Sequence, residues 1–172
     1  MADAVTLAEP LGMIGLRGDH GDERLRAAVV DLTGTAFPER LRIEGTSLRG
    51  AAWMSPDELL IFVPRGEVVA ALARLSLDLA GMHHLVTDVS DMRVCVRIDG
   101  PAAREVLAKL SPADLHPDVF GSGLFRRSRL GQLAAAFWLE GEGARVICFR
   151  SVADYAVALL RQSAADGAVG HF

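Results

Sequence analysis

The chain has 172 residues, of which 51% are hydrophobic and 23% charged. That is enough for one domain or two half-domains sharing a core, and too apolar for a disordered chain. The net charge of −4 leaves no electrostatic footprint for nucleic acid. No run approaches the ~20 apolar residues of a membrane span, and no basic region leads into a long apolar stretch at the start.

Met13, Ile14 and Leu16 between glycines read as a short strand. Asp19 is expected to cap the helix that follows, in which Leu25, Ala28, Val29 and Leu32 recur at helical spacing and Gly34 provides the stop. Residues 35–45 read as a loop or irregular strand. Strands are expected at Leu48–Met54 and Glu58–Val63, joined by the turn chemistry of Ser55-Pro56-Asp57. Val68, Leu72, Leu75 and Leu79 then mark a helix closed by Gly81, and a strand runs from His84 to Ser90. The order β-α-β-β-α-β over 12–90 is ferredoxin-like: two helices on one face of an antiparallel sheet.

The second half, 91–165, starts in the same way. Met92, Val94, Val96 and Ile98 alternate with Arg93, Cys95, Arg97 and Asp99, which predicts a strand with one buried face. Gly100-Pro101 opens a helix with Ala103, Val106, Leu107 and Leu110 inward. Residues 112–123 read as loop. Strands follow near Phe125–Leu130, Leu133–Leu139 and Arg145–Phe149. A last helix begins at Ser151, with Asp154 three residues on as in a capping box. Residues 166–172 read as a flexible tail. The fold class is therefore α+β, a single globular unit over 1–172 built from two related antiparallel halves.

Chemistry is harder to find. The five histidines have no metal-ligand spacing, and His83 and His84 point to opposite faces of a strand. No nucleophile elbow or phosphate loop is present; Gly12, Gly15 and Gly18 suit tight turns better than a dinucleotide fingerprint. Cys95 and Cys148 sit in apolar strand-like runs and read as buried free thiols, which fits a reducing, cytoplasmic setting. Asp88 and Asp91 are either a carboxylate pair capable of acid–base work or a strand junction bonded to backbone amides, Arg93 or Arg97. Arg126, Arg127 and Arg129 form the densest basic cluster, suited to an acidic partner surface, an anionic cofactor tail, or simple solvation of a strand face. Asp88, Asp91, Arg126, Arg127 and Arg129 are thus the candidate cofactor-binding residues, with no catalytic residue and no metal ligand named. Trp53, Phe137 and Trp138 are expected in the core.

Six phrases run in order along the chain: Gly12-Met13-Ile14-Gly15-Leu16-Arg17-Gly18-Asp19, Trp53-Met54-Ser55-Pro56-Asp57-Glu58-Leu59-Leu60, His83-His84 with Asp88-Val89-Ser90-Asp91, Gly100-Pro101-Ala102-Ala103-Arg104-Glu105, Asp114-Leu115-His116-Pro117, and Arg150-Ser151-Val152-Ala153-Asp154-Tyr155. Their series resembles the sarcosine oxidase γ subunit family. The resemblance implies a fold like part of the folate-binding aminomethyltransferases. It also implies a non-redox subunit of a heterotetramer that demethylates sarcosine oxidatively to glycine, making hydrogen peroxide and passing one carbon to tetrahydrofolate. FAD, FMN, NAD and tetrahydrofolate would lie on partner subunits, named alpha, beta and delta, with no nucleic acid or membrane partner. A stand-alone folate-binding module of one-carbon metabolism is the alternative. The chain departs from the family at Ser111-Pro112, where Cys-Pro is usual, at Gly123-Leu124-Phe125-Arg126-Arg127, and at Ala156-Val157-Ala158, where aromatics are common.

Overall fold

A computed structural model describes residues 4–165; the expected tail at 166–172 lies outside them. The chain divides into two compact units, Pro10–Asp91 and, among the described residues, 4–9 together with 92–165.

In the unit Pro10–Asp91 the elements are β2 (Gly12–Arg17), α1 (Glu23–Thr33), β3 (Ile43–Gly45), β4 (Gly50–Ser55), β5 (Glu58–Val63), α2 (Val68–Asp78) and β6 (Leu85–Asp88). The sheet order is β3-β4-β5-β2-β6, antiparallel at every pair. Removing the short edge strand β3 leaves the ferredoxin-like order. The period of two sends Ile14 and Leu16, Leu59 and Ile61, and Ala51 to one sheet face. There they meet Leu25, Val29 and Leu75 from the two helices in one core. Each buried Leu or Ile in that layer contributes about 1.5–3 kcal/mol of burial.

Helix α1 starts three residues later than an Asp19 cap implies. Asp22, not Asp19, is its cap: the Asp22 carboxylate accepts from the Arg24 and Leu25 N–H groups at 2.8 and 3.2 Å. Asp19 instead accepts from the Gly21 N–H at 2.8 Å in the turn before. Two aspartates three apart carry the same capping chemistry, and the entry angle of the chain selects between them. Gly34 ends the helix in the left-handed region at φ 70°, as its lack of Cβ permits.

In the other unit the elements are β1 (Val5–Leu7), β7 (Arg93–Ile98), α3 (Ala103–Ala108), β8 (Phe125–Leu130), β9 (Leu133–Glu140), β10 (Gly143–Phe149) and α4 (Ala153–Ala165). The sheet order is β1-β7-β10-β9-β8, again antiparallel throughout. Val96 and Ile98, Val146, Phe137 and Leu130 face Val106, Leu107 and Leu160 of the helices. Strand β1 carries no sequence signal beyond three residues, yet Val5 is fully buried in this core. The capping box expected at Ser151 does not mark a helix boundary, because Ser151 sits inside a 3-10 turn, Arg150–Val152, that runs into α4.

Candidate functional site

The motif residues meet one another within each unit. Arg17, at the end of β2, reaches Asp57 at 3.3 Å and Glu58 at 2.8 Å across the β4–β5 turn, and the Gly18 N–H donates to the Asp57 carbonyl at 3.0 Å. The Ser55 hydroxyl donates to Asp57 at 2.6 Å; that bond, with Arg17 beside it, holds the Asp57 carboxyl below the usual range. Gly12 is fixed by space, since a Cβ there would lie 2.5 Å from the Val63 carbonyl oxygen and 2.6 Å from Val68 Cγ2. The first two phrases are therefore one interlocked corner.

Strand β6 ends at Asp88, two residues short of its expected end, and the chain then turns. The Asp88 carboxylate accepts from the Ser90 hydroxyl at 2.5 Å and the Ser90 N–H at 2.9 Å. These bonds hold the Asp88 carboxyl down, and the charge of Arg65 adds to them. Ser90, 2% exposed, accepts in turn from the Met13 N–H at 2.9 Å, so its hydroxyl continues the ladder beyond the end of β6. Asp91 pairs with Arg65 at 2.8 Å. A carboxylate held below its usual range is a poor proton acceptor near neutrality; in this arrangement Asp88 supplies geometry.

In the other unit Arg104 of α3 donates to the carbonyls of Leu115 and Phe120 at 2.5 and 2.7 Å. The Asp114 carboxylate accepts from the His116 N–H at 2.9 Å, and Leu115 is buried in the core. The Asp-Leu-His-Pro phrase thus plugs a loop into the core, and Arg104 ties the loop down. The motif itself showed Arg104, but its role depends on carbonyls 11 and 16 residues away.

The three arginines of β8 are split by the pleat. Arg126 shares a face with Ser128, whereas Arg127 and Arg129 lie on the opposite face with Phe125. The Arg126 guanidinium lies 5.4 Å from the centre of the Phe120 ring and donates to the Phe125 carbonyl at 3.3 Å. Arg127 and Arg129 are exposed. Arg126, Arg127 and Arg129 belong to one unit, and Asp88 and Asp91 to the other.

The remaining candidates sit in structural roles. Cys95 and Cys148 are buried free thiols; burial pushes the Cys95 thiol up to about 12 and raises Cys148 as well, which leaves almost no thiolate at neutral pH. Cys95 pairs with Ile147, one residue from Cys148, so the two thiols leave opposite sheet faces. Trp138 and Phe137 are fully buried, and Trp138 packs against Phe125 at 5.7 Å. His20 stacks edge-on to Phe37 at 5.6 Å. A pocket of about 160 Å³ lies beside the start of α3, lined by Ala4, Ile98, Pro101, Ala103, Val106 and Ala164 among others. Its walls are almost wholly apolar, with Asp99 the one titratable residue among them. Among the described residues no group of three His, Cys, Asp or Glu could hold a metal ion, and no helix is long and apolar enough to cross a membrane.

Two antiparallel α+β units, with their motif residues engaged in turns and loop anchors, define the class of protein to which the chain belongs. Its lineage follows from comparison. Residues 17–166 match the sequence profile described as the sarcosine oxidase, gamma subunit family, and the chain belongs to that family. It is 34% identical over 141 residues to the sarcosine oxidase subunit gamma of Corynebacterium sp. strain P-1; the match covers 80% of this chain and 66% of the relative. A chain of the heterotetrameric sarcosine oxidase from Corynebacterium sp. U-96, solved with pyrrole 2-carboxylate, superimposes with a TM-score of 0.85 at 28% identity over 94% of this chain and 83% of that one. The aminomethyltransferase T of the glycine cleavage system from Bartonella henselae matches at TM-score 0.65 and 17% identity, over 91% of this chain and 44% of that chain, a likeness of fold. The α+β, aminomethyltransferase-like class expected from the sequence is the class observed.

Proposed function

We propose that this chain is the gamma subunit of a heterotetrameric sarcosine oxidase. It supports oxidative demethylation of sarcosine to glycine by packing against the large folate-binding subunit. The alpha, beta and delta subunits are its partners in the cytoplasm, and they hold FAD, FMN, NAD and tetrahydrofolate. The observation that carries this reading is the 0.85 TM-score to a chain of such an enzyme over 94% of this one, joined to a motif set spent on structure. Surface chemistry favours it too. Helix α2 is apolar on both sides, with Val69 80% and Leu77 73% exposed, the pattern of a helix covered on both faces.

Co-expression with the candidate partner genes tests the proposal. A stoichiometric complex that carries flavin absorbance should co-purify with this chain, and sarcosine-dependent peroxide formation should fall when it is omitted. Sarcosine turnover or a tightly held prosthetic group in the isolated chain would overturn the assignment, as would a stable monomer that never associates. Calorimetry of the isolated chain with tetrahydrofolate addresses the stand-alone alternative, which requires saturable binding.

A further inference from the structure

Four strands form the edges of the two sheets, and one of them differs from the rest. β1 and β3 have 3 residues each and β6 has 4, lengths too short to template another strand. β8 has 6 residues. Among the described residues it pairs with β9 on one side only, so its other side presents a row of backbone N–H and C=O groups.

That edge is also where the chain gathers positive charge without balancing it. Arg17, Arg26, Arg49, Arg65, Arg74 and Arg97 each have a carboxylate oxygen at 2.5 to 3.2 Å. Arg126 and Arg129 have no carboxylate partner among the described residues; Arg24 and Arg40 have none either, but only the β8 pair stands on one strand. Arg126 is nonetheless ordered, held over the Phe120 ring and against the Phe125 carbonyl. In a chain of net charge −4, a concentration of unneutralised guanidinium groups on the longest open edge is a local reversal of sign.

We propose that β8 is a docking edge for an acidic, extended segment of a partner subunit, added beside it as a further strand with carboxylates on Arg126 and Arg129. The inference rests on the subunit reading and names the surface through which that reading operates. Main-chain hydrogen bonds along the open edge supply the geometry. The planar guanidinium forks select carboxylates, to which they bond bidentately. Because the pleat sends Arg126 and Arg129 to opposite faces, a segment with acids on both of its own faces fits, whereas an acidic patch meeting only one face does not.

The test uses the assembled complex. Arg126→Glu with Arg129→Glu is compared with Arg24→Glu and Arg40→Glu, a double reversal of equal charge at exposed positions elsewhere. The β8 pair should weaken association with the partner subunits roughly tenfold, as expected for loss of two charge-assisted pairs, and flatten its dependence on sodium chloride. The control pair should change neither. Arg129→Ala alone, at an exposed side chain with no ion pair among the described residues, should give a smaller loss in the same direction with the far-UV circular dichroism unchanged. Equal effects from both double variants would reduce the result to net charge and overturn the proposal. So would unchanged affinity and salt dependence in the β8 pair, or self-association of the isolated chain that the β8 pair abolishes, which would make a second copy the occupant. If the unmodified chain fails to join any complex, the subunit reading itself falls; assembly that ignores the β8 pair sinks only this inference.

Discussion

The unit Pro10–Asp91 and the unit formed by 4–9 and 92–165 follow the same plan and close it by different chain paths. In the first, β2, α1, β4, β5, α2 and β6 run in sequence order, and β6 takes the outer place beside β2. In the second, β7, α3, β9, β10 and α4 repeat that run, but the place beside β7 is taken by β1, from the far end of the chain. Even the extra edge strands correspond, β3 beside β4 and β8 beside β9. The second unit is thus a circular permutation of the first. A strand slot beside the first strand is a requirement of the sheet; which part of the chain fills it is free. Packing confirms the equivalence, since α2 covers β6 in one unit and α4 covers β1 in the other.

The two closing strands are not equally buried, and that difference gives the sharpest test. Val5 is fully buried in β1 whereas Leu85 in β6 is 54% exposed. Val5→Asp places an unpaired charge in a core and should cost about 4 kcal/mol or more. Leu85→Asp should stay within about 0.5 kcal/mol. Urea titration followed by circular dichroism reads both, and similar costs at the two sites would contradict the difference in burial between β1 and β6.

The cores should respond alike. Leu75 of α2 and Leu160 of α4 are both fully buried, and truncation of either to alanine should cost about 2–5 kcal/mol. Two separate transitions in one of these variants and a single one in the other would show that the units differ in cooperativity.

The anchoring bonds rank next. Arg104→Ala leaves the carbonyls of Leu115 and Phe120 without this donor, and Ser90→Ala removes the acceptor of the Met13 N–H. Each should cost about 1–3 kcal/mol. Hydrogen exchange should localise the first loss to the loop around 112–124 and the second to the end of β2.

The smallest effect is one of pH. His20 is partly buried, its Nε2 is buried and lacks a partner among the described residues, and burial lowers its pKa from 6.5 although Asp57 and Asp19 oppose the shift. Its contribution is fully present above about pH 6.5, and it is lost as the pH falls through the lowered folded value, because the unfolded chain takes up the proton first. His20→Phe should remove that part of the slope in chemical denaturation curves between about pH 7.5 and about pH 5. A variant with an unchanged slope would remove His20 as its source.

Much of this was legible in the residues. The period of two located β7, because one side of that strand is hidden in the sheet, and strand-sized runs between turn residues located β5, β8, β9 and β10 within about two residues. Helical spacing found α1 and α2. The motif series found the family. What escaped had non-local causes. β1 is three residues long, and its strand state exists only through pairing with β7, some 90 residues on. Asp19 and Asp22 are equal as caps until the turn before α1 is built. The arginines of β8 read as one cluster along the chain, and the pleat then divided them between two faces.

Composition, periodicity and the ordered phrases were enough to settle an α+β chain of two related halves and its kinship, because they depend on neighbours within a turn or a pleat. Tertiary structure alone decided that β1 completes the second unit, that Ser90 and Arg104 hold distant backbone groups, and that β8, an edge strand among the described residues, carries arginines on both faces. Those outcomes depend on hydrogen-bonding groups meeting across long loops, and linear order does not encode which of several compatible partners will arrive.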